Sequence, residues 1–440
     1  VTFIGSPLVP IGFNRNVAWT ETNTGADVAD YYEETVDNPA HPTTYKLDGA
    51  WKPLLVRVET VRGQKGELLA TDTIYHTHRG PMVHSGGRWI SRRWTILDTS
   101  IGNTLDAFRQ ANQSTSVATL MQGIEGYQGP AQNFLAADRA GHIALRSTAK
   151  YPVRPATAAL GNELVDGSRS ANDWQGWWNI ADYPQTVDPA QGYIASANQQ
   201  PKDPKVDGRY FGWDWPAPWR AMRINALLRA DSAVTPDAMR RFQTDARSEQ
   251  TALFVDAFLA SAAGSPANPS FEQGIRELRN WDRTFSKENE HAVLFEAALD
   301  ELARRTWDEL AVPGAPNEDR PRRVATPNSM LLAELLQDPK NPWWDDHSTP
   351  NVVEDRDMIL RASLAAAYER VVKALGKPGP AWRWDRNRFA NIHHLLRLPA
   401  LSRLRIPIQG GPGTLNPSAG DGTHGASWRM VVELGPEVRA

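Results

Sequence analysis

The chain has 440 residues, 41% of them hydrophobic and 22% charged, with a formal net charge of −3 and no cysteine. That length can bury one large core or two ordinary ones. The balanced charge, with no basic stripe or tail, argues against nucleic acid as the main partner, and the lack of cysteine excludes disulfides, thiolate metal sites and Cys nucleophiles together.

The N-terminus, Val1-Thr2-Phe3-Ile4-Gly5, enters directly in strand-like sequence, with no Met, no basic region and no apolar leader. The C-terminus stops just after another strand-like stretch, so a processed or truncated polypeptide is expected. No apolar run reaches the ~20 residues that a membrane-spanning helix takes.

Residues 1–100 read as β-rich. A polar turn at Gly12 to Asn16 leads into the apolar-aromatic strand Val17-Ala18-Trp19-Thr20 and then into Glu21-Thr22-Asn23. Leu54 to Val61 alternates at period two, and Arg62-Gly63-Gln64-Lys65-Gly66 turns it toward a second strand. From Thr104 to Ile124 the spacing becomes helical, with Leu105, Phe108, Val117, Leu120, Met121 and Ile124 on one face. Asn133 to Leu145 predicts a hairpin turning at Asp138-Arg139-Ala140-Gly141. Gly192-Tyr193-Ile194-Ala195-Ser196-Ala197 predicts an apolar strand that ends in the amide cluster Asn198-Gln199-Gln200 and a Pro stop.

About twenty residues later Pro218-Trp219-Arg220 places a guanidinium at the start of a helix. From there the chain turns helical. Thr235-Pro236-Asp237 combines a hydroxyl N-cap, Pro at the first position and an acid in the first turn. His291 to Leu310 carries Leu294, Ala298, Leu302 and Trp307 on one face. Gln409 to Gly413 is a sharp loop, and Trp428 to Leu434 predicts a last strand. Strands, a helical block and strands again describe an α+β fold with a helical insertion. The divisions are a β-rich part at 1–220, a helical region at 221–395 and returning strands at 396–440.

Three groupings have simple chemical readings. His76-Thr77-His78 would put two rings on one strand face, but no third ligand follows at readable spacing. His393-His394 would point apart. The Gly-rich loop at 410–413 lacks the Lys and helix of a phosphate cradle. The 17 tryptophans, among them Trp174, Trp177, Trp178, Trp213, Trp215 and Trp219, read either as sugar platforms or as fillers of a large core, with the core favoured.

Taken in order, the Gly12–Asn23, Gly192–Pro201 and Pro218–Ile224 segments resemble the large (β) subunit of the penicillin acylase family, which includes penicillin, aculeacin and acyl-homoserine-lactone acylases. His78-Arg79-Gly80-Pro81-Met82-Val83, Leu135-Ala136-Ala137-Asp138 with Gly141, Tyr151-Pro152, Asp173-Trp174-Gln175-Gly176 and His424-Gly425-Ala426-Ser427-Trp428 add to the likeness, which runs through essentially the whole chain.

The resemblance implies a four-layer αββα N-terminal-nucleophile hydrolase core. It also implies a precursor that cleaves itself to expose a Ser, whose own α-amino group is the base. Asn198 then corresponds to the side-chain donor of the oxyanion hole, and Asn23 to the residue whose backbone N–H is the second donor. The family usually has a small or aliphatic residue at the second of these positions. Arg220 corresponds to the arginine that anchors the site, and Ile11 and Phe134 to acyl-pocket walls. Asp27-Val28-Ala29-Asp30 matches a calcium segment, with Asp207 as a third ligand.

A small α-subunit from the same precursor, an N-acyl small-molecule substrate and export to the periplasm or outside the cell are further implications. The Ser itself should lie a few dozen residues before Val1, and nothing in the chain replaces it. The expected function is therefore that of an acylase subunit or fragment without its nucleophile. A catalytically silent homologue or scaffold, and a Trp-rich sugar-active enzyme, stay as alternatives.

Overall fold

Period-two alternation becomes sheet in the first half of the chain, and helical spacing becomes helix in the second. The computed structural model describes every residue except 1–4, 6, 264–267, 313–322, 325, 421, 424 and 427. The chain divides into two units, residues 1–216 with 432–440 and residues 217–431.

In the first unit β1 (Gly12–Phe13) and β2 (Val17–Asn23) form a hairpin. Asn14 closes its turn by accepting from the N–H groups of Asn16 and Val17 at 2.8 and 3.0 Å. β3 (Ala29–Glu34) is followed by the small hairpin of β4 (Thr44–Leu47) and β5 (Ala50–Pro53). Next come four consecutive antiparallel strands, β6 (Leu55–Arg62), β7 (Leu68–Thr77), β8 (Gly80–Ser85) and β9 (Arg88–Trp94).

The helical stretch expected from Thr104 to Ile124 is two helices, α1 (Ile101–Gln113) and α2 (Val117–Gly123). The break has a local cause. Ser116 Oγ accepts from the Thr119 N–H at 3.2 Å and Thr119 Oγ1 from the Ser116 N–H at 3.0 Å, a capping box that starts a new helix. β10 (Gln132–Asp138) and β11 (Ile143–Thr148) then make the expected hairpin, and β12 (Leu164–Asp166), β13 (Gln185–Val187) and the single turn α3 (Pro204–Asp207) complete the unit.

Apart from the β4–β5 hairpin, these strands form two sheets, ordered β1-β2-β10-β11-β13 and β12-β3-β9-β8-β7-β6. Val17, Trp19, Phe134 and Ala136 share one face of the first sheet and pack with Phe108, Leu120 and Met121 of α1 and α2. In the second sheet the turn between β7 and β8 needs Gly80: its φ is +148°, and a Cβ there would lie 2.4 Å from the Arg92 carbonyl oxygen.

The second unit is helical: α4 (Trp219–Ala230), α5 (Pro236–Gln243), α6 (Gln250–Ala260), α7 (Pro269–Asn280), α8 (Ala292–Thr306), α9 (Ser329–Leu335) and α10 (Arg356–Leu375). Side-chain oxygens start four of them as N-caps: Thr235 accepts from Ala238, Asn268 from Phe271, Asn328 from Met330 and Asp355 from Met358. α10 crosses α7 closely at Gly274, where a Cβ would meet Leu364 Cγ at 2.8 Å. Phe254, Phe258, Phe295, Trp344, Trp382 and Trp384 fill this core. Eight of the 17 tryptophans are buried, whereas Trp51, Trp213 and Trp428 are more than half exposed.

Two expected strands are different in the structure. Residues 192–197 form no strand with any of the described residues. Of Trp428 to Leu434 only Glu433–Leu434 is strand, paired with Val438–Arg439, and Trp428 is exposed. Within 396–440, Arg403–Pro407 pairs with Phe389–Ile392 in the helical unit, while residues 432–440 belong with the first unit.

Candidate active site

The parity of β2 decides what Asn23 can do. In an antiparallel ladder, pairs that exchange backbone bonds alternate with pairs that turn those groups to the opposite side. The Arg139 N–H bonds the Asn16 carbonyl at 3.0 Å and the Thr24 N–H bonds the Ala131 carbonyl at 3.5 Å, so even-numbered residues of β2 face β10. Odd-numbered residues face the other way, as the bond from the Asn14 N–H to the Val17 carbonyl (2.9 Å) shows on the β1 side. The Asn23 N–H and C=O therefore point to the β1 side, and β1 pairs β2 only at Ala18 and Trp19. The Asn23 side chain is engaged elsewhere, its Oδ1 accepting from Gln132 Nε2 at 2.9 Å.

Asn198 reaches the same edge. Its Nδ2 donates to the Asn23 carbonyl at 2.8 Å across 175 residues of sequence. A primary amide carries two N–H donors, and this bond puts the Asn198 amide on the edge to which the Asn23 N–H points. Asn198 sits at φ +66°, a left-handed conformation that Asn tolerates better than most residues.

Residues 192–197 were expected to be a strand, and side chains explain why they are not. Gln199 Oε1 accepts from the Ala197 N–H at 2.7 Å and its Nε2 donates to the Ala195 carbonyl at 3.3 Å, so the amide cluster satisfies the backbone locally. Ser196 ties the loop to β2, with its Oγ 2.5 Å from Thr22 Oγ1. Asn133 Nδ2 donates to Thr22 Oγ1 at 3.2 Å, and Ser147 Oγ donates to Asn133 Oδ1. Asn133 and Ser147 are buried, so this chain of polar groups fixes the Asn198 loop on the sheet. Sequence reasoning missed all four residues. Alternation gave no signal, because Thr22, Asn133 and Ser147 share the sheet face opposite Val17, Trp19 and Phe134, where polar residues are ordinary.

Phe134 is fully buried, edge-on to Tyr127 at a centroid distance of 5.0 Å, and Ile11 is half-buried just before β1. Directly opposite Phe134 in register stands Glu21, whose carboxyl burial pushes up from the ordinary 4.5 to about 7. Arg220 is the second residue of α4 in the helical unit, where burial lowers its pKa. His78, instead of joining His76, bonds Tyr45 Oη through Nδ1 and Asp173 Oδ2 through Nε2, both at 2.9 Å. His424 and Ser427 lie outside the described residues.

The penicillin amidase family model matches residues 1–440, the whole chain. The chain belongs to the penicillin amidase family. Curated relatives include the acyl-homoserine lactone acylase QuiP of Pseudomonas syringae pv. syringae, 28% identical over 99% of this chain and 55% of that protein. Another is the acyl-homoserine lactone acylase PvdQ of Pseudomonas fluorescens, 33% identical over 45% of this chain and 26% of that one. The chain thus spans about half the length of the curated relatives that match it throughout. Among solved structures, a thermostable penicillin G acylase from Alcaligenes faecalis superposes with a TM-score of 0.67 at 20% identity, covering 87% of this chain and 72% of that one. The fold is accordingly that of an α+β N-terminal-nucleophile hydrolase. Among the described residues no helix is long and apolar enough to cross a membrane.

The family's calcium segment, Asp27 to Asp30, meets a different partner in this chain. Arg154 Nε and Nη2 donate to both Asp30 carboxylate oxygens at 2.9–3.1 Å, and Nη2 also donates to the Asp27 backbone carbonyl at 3.0 Å. Tyr210 Oη donates to Asp27 Oδ2 at 2.8 Å and Trp174 Nε1 to Asp30 Oδ2 at 2.5 Å. Asp207 closes α3, and its side chain lies outside the described residues. Calcium takes 6–8 oxygen ligands at 2.3–2.6 Å, whereas a guanidinium holds the space between these carboxylates. Among the described residues, the surroundings of Asp27 and Asp30 do not fit a calcium ion. Nor do these carboxylates beside Trp174 form the acid–base pair that a sugar-active site needs, because Arg154 bridges them.

Proposed function

We propose that the complete protein hydrolyses the amide bond of an N-acyl compound, with an N-acyl-homoserine lactone as the substrate class. The observation that carries this is the meeting of the Asn198 amide and the backbone edge of Asn23 on one side of β2. Family membership and the names of the relatives support the reaction and the substrate class. For Arg220 the anchoring role is carried by the resemblance alone.

In this reading a Ser outside the given sequence attacks the acyl carbonyl carbon, and its α-amino group takes the hydroxyl proton. The carbonyl oxygen becomes an oxyanion, which the Asn198 Nδ2–H and the Asn23 N–H stabilise. Collapse breaks the C–N bond and releases the amine, which takes a proton. Water then attacks the acyl-enzyme, freeing a carboxylic acid and restoring the Ser. A small subunit from the same precursor and export from the cytoplasm belong to the same proposal.

The test is to incubate the complete protein with N-octanoyl-homoserine lactone, penicillin G and a lipopeptide, and to measure the amine released. Release of homoserine lactone is expected to be fastest. No amine from any of the three would favour the silent-homologue reading instead.

A further inference from the structure

We propose that Arg154 is the built-in cation of the Asp27–Asp30 segment, so that an internal guanidinium does the work of a bound metal ion and this fold is independent of calcium. The inference stands on the first unit alone and does not depend on the proposed activity.

Charge and geometry agree on this. Arg154 places Nη2 where the two acidic residues converge, 2.9 Å from Asp30 Oδ1, 3.0 Å from the Asp27 carbonyl and 3.7 Å from Asp27 Oδ1. Its Nε and Nη2 together grip Asp30 with the two-pronged geometry that a guanidinium offers a carboxylate. The exposures are 6% for the Arg154 side chain, 3% for Asp30 and 17% for Asp27, so the group is an interior one in which an unpaired charge would be costly.

The remaining sides are closed. The Tyr210 ring lies 5.2 Å from Arg154 Cζ while its hydroxyl caps Asp27. Trp174 caps Asp30. At Gly161 the backbone presses so close that a Cβ would lie 2.2 Å from Asp27 Oδ2 and 2.7 Å from Arg154 Nη2.

The backbone that presents Arg154 is itself held. The Val153 N–H bonds the Gly176 carbonyl at 2.9 Å, and the Gln175 N–H bonds the Val153 carbonyl at 2.8 Å. The guanidinium is therefore preorganised, and a divalent ion brought to the same carboxylates would meet a like charge already in contact with them. The clamp also has a consequence for the site. Asp27 lies four residues beyond Asn23, so Arg154 holds the path by which the chain leaves β2 for β3.

The experiment is metal analysis and thermal unfolding of the purified full-length protein, with EGTA or with millimolar calcium chloride, beside the Arg154→Ala variant. The wild type is expected to carry no stoichiometric calcium and to show the same Tm in EGTA and in calcium. Arg154→Ala should lower Tm by about 5 °C or more, and calcium should recover part of that loss because the two carboxylates then face a vacant cation position. One calcium per chain in the wild type, or a wild-type Tm lowered by EGTA, would overturn the proposal. So would an Arg154→Ala variant as stable as the wild type. If that variant does not fold, the wild-type metal content and EGTA response decide.

Discussion

Replacing Asn198 by Gly in the complete enzyme is expected to lower kcat by about 10²–10³-fold while leaving the fold intact, the range found on removing one oxyanion donor. Glycine is the informative choice. Asn198 sits at φ +66°, which glycine adopts without strain, so the substitution removes the amide and keeps the backbone. Among the bonds described, the fold loses the hydrogen bond to the Asn23 carbonyl, worth about 1 kcal/mol. The expected rate loss is far larger because, in the proposed role, the amide acts on charge that exists only in the transition state. Asn198→Asp should fare no better, since a carboxylate has acceptors where a donor is needed. Far-UV circular dichroism and Tm beside kcat separate the two effects: a large fall in kcat with Tm within a few degrees of wild type is the expected pattern.

The second large effect is on stability. Arg79→Met is expected to destabilise the protein by about 3–5 kcal/mol, the typical cost of breaking a buried ion pair from one side. Arg79 is almost fully buried and donates in four directions: to Asp173 Oδ1 at 2.6 Å, to Glu34 Oε1 at 3.0 Å, to the Gly167 carbonyl at 2.8 Å and to the Arg169 carbonyl at 3.3 Å. Removing it strands Glu34, whose side chain has no exposure and whose other hydrogen-bond partner among the described residues is the Ser91 hydroxyl at 2.6 Å.

The pH dependence follows from Glu34. Burial already raises its carboxyl above the ordinary value, despite Ser91 and Arg79 pulling it down. A carboxyl with a raised folded pKa favours folding in its protonated form, and that contribution is lost as pH rises through the folded value. Without Arg79 the folded pKa rises further. The Tm deficit of Arg79→Met should therefore be larger at pH 8 than at pH 5, and Arg79→Met with Glu34→Gln should recover part of it at pH 8. An equal deficit at both pH values would show that lost packing, rather than stranded charge, accounts for the damage.

What the sequence disclosed followed the range of the interactions. The β1–β2 and β10–β11 hairpins and the Thr235 helix start were legible, because alternation, turn residues and caps act within a few positions. Asn198 and Asn23 were legible as a pair only through the family pattern, since nothing local joins residues 175 positions apart. The segment 192–197 misled for a local reason: Tyr193-Ile194-Ala195 is an apolar run such as a buried strand has, but Gln199 satisfies backbone groups that a neighbouring strand would have bonded.

Arg154 could not be seen at all. Its partners lie 124 and 127 positions away, and a lone Arg between Val153 and Pro155 carries no spacing signal. Reading Asp27 and Asp30 as a metal segment saw the carboxylates and not the cation that the chain itself supplies. Glu21 was passed over for a similar reason, because alternation places it inward but says nothing of the burial that raises its carboxyl to about 7.

The most direct test of the account is a structure of the complete enzyme carrying an acyl-chain boronic acid bound to its nucleophile, because the tetrahedral boronate places an oxygen where the oxyanion forms. The prediction is that this oxygen lies about 2.7–3.1 Å from both Asn198 Nδ2 and the backbone nitrogen of Asn23. A boronate oxygen held by other donors, with neither of these groups within hydrogen-bonding reach, would contradict it.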